Sequence, residues 1–318
     1  MGSDEDDPYE EQTQRKGKTL RKRIAAASLA ATLLLAACGG GSSDDSKTSS
    51  GSKKDEKGVT INVFAAASLK ESFGVMEKKF EATHRGVDVV FNFSGSQELV
   101  EQIDSGAPAD VIATANTKTM DALKSKGKVG DTSLFTSNTL VLITPKGNPA
   151  KVTGLDSSLD KAKLVICTPK PAAGGATVPC GTATAELTKK LGVKLNPVSE
   201  EQKVTDVRSK VASGEADAGI VYRTDAVAAG KDVETIKIPG ADKIINNYPI
   251  GVLKDSKHAS QAKSFADYVK SAEGQKILKK HGFLDVQKKE GESSPAGAGG
   301  PAPAEKSSAP GGETTENK

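Results

Sequence analysis

The chain of 318 residues has no tryptophan, three histidines and three cysteines, and aromatic side chains make up 4% of it. Each scarcity narrows what the protein can be. Large protein–protein interfaces draw on Tyr and Trp at their centres, so few aromatics argue against one here. His84, His258 and His281 are scattered, with no cysteine at a ligand spacing, which leaves no footing for a metal site. Neither sign of charge dominates, since 44 basic side chains stand against 41 acidic ones for a formal net charge of +3. Nothing in that balance points to a nucleic-acid partner. The apolar run Ile24 to Ala37 is too short to span a membrane as a helix, and no repeat of solenoid period is visible.

What is present begins with the two ends. Arg15, Lys16, Lys18, Arg21, Lys22 and Arg23 precede that apolar run, the pattern of a signal peptide, behind an unusual acidic extension in the first 14 residues. The run stops at Leu35-Ala36-Ala37-Cys38, which resembles a bacterial lipobox, whose cysteine is acylated and becomes the first mature residue. Residues 38–57 then read as a lipidated cysteine with a flexible tether, and 288–318 as a Pro-, Gly- and Ser-rich tail with almost nothing to bury. With Cys38 under lipid, Cys167 and Cys180 remain in an oxidising compartment, where a disulfide between them is expected; separate free thiols are the alternative.

Between the ends lies an α/β domain. Val59, Ile61, Val63 and Phe64 favour a strand, and Leu69, Phe73, Met76 and Phe80 recur at helical spacing directly after it. Ser68 falls at the junction as an N-cap, beyond the carboxyl end of a strand, where α/β sheets bind ligands and unpaired helix N–H groups attract anions. The device recurs at Val87 to Phe93 followed by Ser94-Gly95-Ser96, which makes Ser96 a second anion donor, and residues 106–116 supply a third strand. Such alternation predicts a mainly parallel sheet with helices on both faces. Farther on, 138–144 and 163–168 read as strands, Cys180 opens a helix, 204–211 forms a short helix, and 218–222 is a buried strand ending in Tyr222. A return strand at 248–253 and helices at about 259–270 and 273–281 close the domain. The predicted divisions are lobe 1 at 58–144, lobe 2 at 145–240 and a return to lobe 1 at 241–287.

Six motifs in register then carry a specific likeness: VFAAASL from Val63, FNFSGSQELVEQIDSGAPADV from Phe91, NTLVLITPKGNP from Asn138, VPCGTATAEL from Val178, TDVRSKVASGEADAGIVYRTDA from Thr205 and YPIGVLK from Tyr248. Over about residues 59–286 the chain resembles the molybdate-binding proteins, the solute receptors of molybdate ABC transporters. The resemblance implies a two-lobed periplasmic-binding-protein-like fold of type II, with a tetrahedral oxyanion, molybdate or tungstate, held in the cleft. By that likeness the ligand falls to Ser68 and Ser96 from the first lobe, to backbone N–H groups at Cys180 and Val207 in the second, and to the Tyr222 hydroxyl. It also implies a membrane-embedded permease as partner, a monomer lipid-anchored on the outer face of the cytoplasmic membrane, and neither catalysis nor cofactor. Gly95 and Cys180 depart from the residues common in the family, a serine and a small residue such as alanine.

The residue types agree with an oxyanion. A fully ionised dianion needs donors and no carboxylate facing it, and serine and tyrosine hydroxyls and backbone N–H groups can all donate. Asp206 and Asp225, near the matched positions, read as a cap or a surface charge. Three alternatives stay open: a receptor for another tetrahedral oxyanion such as sulfate, a serine hydrolase, and a surface lipoprotein that binds a protein. Neither Ser68 nor Ser96 stands in a G-x-S-x-G elbow, which weakens the hydrolase. The lipobox reading makes its own prediction. Cys38→Ala should leave an unlipidated precursor that no longer partitions into the detergent phase; normal partitioning of that variant would refute it.

Overall fold

The computed structural model describes residues 58–170 and 177–287. The signal peptide, Cys38, the tether, the tail and the centre of the Gly- and Pro-rich loop, 171–176, lie outside the described residues. Among the described residues, no helix is long and apolar enough to cross a membrane.

From its start the described chain runs β1 (Val59–Ala66), α1 (Lys70–Thr83), β2 (Val87–Ser94), α2 (Ser96–Asp104), β3 (Val111–Ala113), α3 (Thr117–Ser125) and β4 (Val129–Asn138). It continues with β5 (Leu140–Pro145), β6 (Leu164–Cys167), α4 (Pro179–Leu191), β7 (Ser199–Glu201), α5 (Val204–Ala212), β8 (Ala218–Tyr222), α6 (Arg223–Ala229) and β9 (Val233–Ile236). Finally β10 (Asn246–Leu253), α7 (Ala259–Lys270) and α8 (Ala272–Lys280) return to the first sheet.

Two five-stranded sheets result, ordered β2-β1-β3-β10-β4 and β7-β6-β8-β5-β9. Each has one strand running against the other four, β10 in the first and β5 in the second. The sheets are therefore mixed: four strands of each point one way, as expected, but two of the four pairings in each are antiparallel. The two lobes share one plan, with β6, β7 and β8 repeating the places of β1, β2 and β3. In both, the antiparallel strand is the one that arrives from the other lobe.

The first sheet is covered on both faces, as period-two side-chain alternation requires of a buried strand. Ile61, Val63 and Ala65 meet Phe73, Met76 and Phe80 of α1 and Phe265 of α7, where Phe265 stands edge-on to Phe73 and Phe80 at ring separations of 5.9 and 5.3 Å. Phe64 and Ile112 point the other way into a separate cluster with Leu99, Val100 and Ile103 of α2 and Met120 and Leu123 of α3.

The run 138–144 is not one strand. It divides at Thr139, with β4 paired to β10 in the first sheet and β5 paired to β8 and β9 in the second. The lobe boundary expected after residue 144 thus falls at Thr139, because the backbone hydrogen bonds of Leu140 onward belong to the second sheet. Thr139 Oγ1 also donates to the Ala241 carbonyl at 2.6 Å, tying this crossing to the segment that leads back.

Other contacts join the lobes side by side. Arg208 of α5 donates to Glu71 of α1 at 2.9 Å, and the Gln97 amide donates to the Gln202 carbonyl at 3.1 Å. Asp225, expected as a cap or surface charge, is instead buried in the first turn of α6 at 1% exposure. Its nearest cation is Arg208 at 3.9 Å, already engaged by Glu71. Burial pushes the Asp225 carboxyl up to about 7, with Arg208 pulling the other way.

Because an unfolded aspartate titrates near pH 3.9, the folded state binds this proton more tightly, and its contribution is full below about pH 4 and lost as pH rises through about 7. Asp225→Asn should therefore stabilise the protein more at pH 8 than at pH 5, by on the order of 1–4 kcal/mol. Urea melts at the two pH values check this; an equal effect at both would show that the carboxyl does not titrate in this window.

Candidate functional site

The shared plan of the lobes brings four helix starts together. In each lobe the first two strands end at the same edge of their sheet and lead into helices: β1 to α1 and β2 to α2 in one, β6 to α4 and β7 to α5 in the other. The first turn of a helix has N–H groups without intrahelical partners and carries the positive end of the helix dipole. Four such ends facing one another form an anion site before any side chain is considered.

Between them lies a cavity of about 20 Å³, walled by Ala66, Ala67, Ser68, Ser94, Gly95, Ser96 and Ala115 from the first lobe and by Val178, Pro179, Cys180, Gln202, Lys203, Val204 and Tyr222 from the second. That volume is on the scale of water or a small inorganic ion and far below that of organic-solute pockets. Among the described residues its wall contains no Asp or Glu, and its one charged side chain is Lys203.

Ser68 is not the helix N-cap the sequence suggested. It lies in a single 3-10 turn, Ala67–Leu69, and α1 is capped by Leu69 with no side-chain bond. The extra turn frees the hydroxyl from capping. Instead Ser68 Oγ meets the Tyr248 hydroxyl at 2.9 Å. Ser96 is the first residue of α2, 1% exposed, and its Oγ accepts from the Ala115 N–H at 3.0 Å. With that lone pair engaged, the Ser96 proton is left for a ligand.

Gly95 and Gly181 are close-approach glycines. A Cβ on Gly95 would stand 2.7 Å from the Gln202 carbonyl, which gives the physical reason that serine is missing here. On Gly181 it would stand 1.9 Å from the Thr168 carbonyl, so only glycine lets α4 settle on the end of β6. Pro179 occupies N1 of α4, where it forfeits no helical bond, and the Cys180 N–H becomes the first donor of that helix.

Tyr222 ends β8 at 1% exposure, and its hydroxyl has no hydrogen-bond partner among the described residues. Burial pushes its phenol well above the ordinary range, so the group is a donor at any physiological pH. A buried hydroxyl with nothing to bond is costly, and a polar ligand beside it removes the cost.

The structure thus brings Ser68, Ser96, Cys180 and Tyr222 to one cavity, and Val207 is not among the residues that wall it. Val207 is the fourth residue of α5, fully buried, and its Cγ1 lies where a Cβ on Gly219 of β8 would fall within 2.8 Å. The first residue of α5, Val204, lines the cavity in its place. Val204 stands in the second lobe where Ser96 stands in the first, so the repeated strand–helix order was the signal that could have found it.

The expected disulfide is likewise absent. Cys167 and Cys180 are buried free thiols, with the Cys180 thiol directed at the Ile220 carbonyl at 3.7 Å. Burial, together with the neighbouring Cys180 thiol, pushes Cys167 well above the usual thiol range, so neither geometry nor ionisation favours a thiolate there. Neither cavity serine bonds to a histidine. No group of His, Cys, Asp or Glu among the described residues is arranged to hold a metal ion.

Comparison with known proteins agrees with this geometry. The profile of the family described as bacterial extracellular solute-binding protein matches residues 61–284. The molybdate-binding protein ModA of Mycobacterium tuberculosis H37Rv is 41% identical over 226 residues, which cover 70% of this chain and 84% of that protein. ModA of Escherichia coli K12 is 34% identical over 236 residues, covering 70% and 88%. The solved periplasmic molybdate-binding protein of Azotobacter vinelandii superposes with a TM-score of 0.62 at 22% identity, over 71% of this chain and all of that one, and so shares the fold. The chain belongs to the bacterial extracellular solute-binding proteins and, within them, to the molybdate-binding proteins.

Proposed function

We propose that this chain captures molybdate outside the cytoplasm and delivers it to the permease of an ABC transporter, without catalysis and without a cofactor. The observation that carries the reading is the small cavity whose described wall offers donors from both lobes and no carboxylate. Ser68, Ser96, the Tyr222 hydroxyl and the N–H groups of Cys180 and Val204 form the proposed ligand set, with Val204 taking the place expected of Val207. Lys203 adds a cation at the rim, and Glu98 of the first lobe lies 3.7 Å from it. The relatives named above as molybdate-binding proteins support the choice of ion.

Molybdate is a dianion at neutral pH and suits a wall of donors, whereas hydrogen phosphate carries a proton and needs an acceptor. Tungstate shares charge and nearly the size of molybdate and is proposed to bind as well; sulfate is smaller and should fit loosely. Cys38 is proposed to carry the lipid that holds a monomeric receptor on the outer face of the cytoplasmic membrane.

Calorimetric titration of the protein with molybdate, tungstate, sulfate and phosphate tests the assignment. Molybdate and tungstate should bind tightest; preference for sulfate or phosphate would overturn it. Removing one hydrogen bond to a charged ligand costs about 1.5–3 kcal/mol, so Ser68→Ala and Ser96→Ala should each weaken molybdate by about 10-fold to 150-fold while the fold is retained. Wild-type affinity in both would refute the site. Val204→Pro is a clean test of the backbone donor. Proline is tolerated at N1, and Lys203 before it already has the extended backbone that proline demands, φ −130° and ψ 137°. This variant should fold normally and bind at least about tenfold more weakly. Val207→Ala keeps the backbone N–H and should lower stability with little change in affinity.

A further inference from the structure

Tyr248 is fully buried in β10, a strand that belongs to the first lobe and begins immediately after the chain crosses back from the second. The ladder to β4 slips between Tyr248 and Pro249, a bulge of the kind that redirects a side chain. Tyr248 is held edge-on by Phe283 at 5.4 Å and by Phe135 at 6.3 Å, and its hydroxyl reaches Ser68 Oγ at 2.9 Å.

The proton arrangement follows from Asn138, at the crossing itself. Asn138 Oδ1 accepts from the Thr139 N–H at 3.0 Å, which fixes the side-chain amide and turns its NH₂ toward the other partners. That NH₂ donates to Thr224 Oγ1 at 2.9 Å and to the Tyr248 hydroxyl at 3.3 Å. An amide nitrogen cannot accept, so the phenol proton must go elsewhere, and Ser68 Oγ is the hydrogen-bonding partner the structure gives it. Burial pushes the phenol far above its ordinary range, so this proton is present throughout the accessible pH range.

We infer that Tyr248 is a positioning residue for the oxyanion site: oriented by Asn138, it gives its proton to Ser68 Oγ, so that the Ser68 proton is not spent on Tyr248 and is directed toward the cavity. This deepens the molybdate reading and rests on it. Ser96 is held in the same state by a backbone amide, whereas at Ser68 the device is built from side chains and can be changed by mutation. Its consequence is selectivity. With one of its two lone pairs taken by Tyr248 and its own proton turned into the cavity, Ser68 favours an oxyanion that accepts over one that must donate. Without Tyr248 the hydroxyl can rotate and accept from a protonated oxyanion.

The test is calorimetric titration of wild type, Tyr248→Phe, Ser68→Ala and the double variant with molybdate and with phosphate at pH 7.5, with folding followed by circular dichroism. Tyr248→Phe should weaken molybdate by about 5-fold to 30-fold and phosphate by less, so that the ratio of the two affinities narrows by at least about threefold. In the Ser68→Ala background the same change should leave the ratio unaltered, because the group it positions is gone. A purely structural role would lower both anions by one factor in either background, and that result, or no change at all, overturns the inference. Asn138→Asp is the second variant. Its carboxylate draws the Tyr248 proton away from Ser68, so the ratio should narrow there too even if Tyr248→Phe fails to fold; a folded Asn138→Asp protein with the wild-type ratio refutes the relay. Wild-type protein that binds neither anion overturns the site along with the relay, whereas wild type that prefers molybdate beside an unaltered ratio in Tyr248→Phe sinks the relay alone.

Discussion

The interaction on which this structure turns is the unmet hydrogen-bonding demand of helix starts. α1, α2, α4 and α5 each leave N–H groups without intrahelical partners, and the repeated strand–helix plan aims all four at one small volume between the lobes. The sheets, the two crossings and the close-approach glycines serve to hold those ends in place. A dianion answers that demand with Lys203 as the one charged side chain in the described wall, because fixed dipoles in a mostly buried cavity act more strongly than they would at an exposed surface.

Selectivity in such a site depends on what the donors are prevented from doing. A serine hydroxyl is indifferent by nature, able to give or to take a proton. Ser96 has one lone pair taken by the Ala115 N–H, and Tyr222, with no partner among the described residues, keeps its proton for whatever lies beside it. Asp225 sits just beyond this shell with only a shared cation for compensation, and its burial makes the neutral form accessible near pH 7. A neutral carboxyl so close to the second-lobe end of the cleft repels a bound dianion less than a carboxylate would.

Much of the fold was legible in the sequence because buried strands announce themselves by composition. The strands β1, β2, β6 and β8 were each visible as β-branched or apolar runs, and α1, α4, α5, α7 and α8 as periodic faces. What escaped had a physical reason. β7 is Ser-Glu-Glu, a polar strand at the sheet edge that no hydrophobic pattern marks. Leu140 to Thr144 continues the chemistry of Asn138 without a break, so the change of sheet at Thr139 is set by long-range pairing alone. Val204 and Val207 share one apolar helix face, and only the start of α5 decides which of them meets the cavity. Cys180 lies close enough to help raise the Cys167 thiol and yet both remain thiols, a distinction that spacing in sequence does not carry.

The single residue that separates β4 from β5 gives the chain almost no slack at the crossing, and the Thr139 bond to Ala241 couples it to the return segment. Any swing of one lobe against the other therefore turns about a short axle whose first tooth is Asn138. Displacement in a rotation grows with distance from the axis, so groups anchored there move least. In such a swing Ser68, Tyr248 and Asn138, tied to the crossing by hydrogen bonds, would move less than the starts of α4 and α5. The first lobe can then receive an ion already oriented, and the entropic cost of assembling the site falls on the second lobe alone.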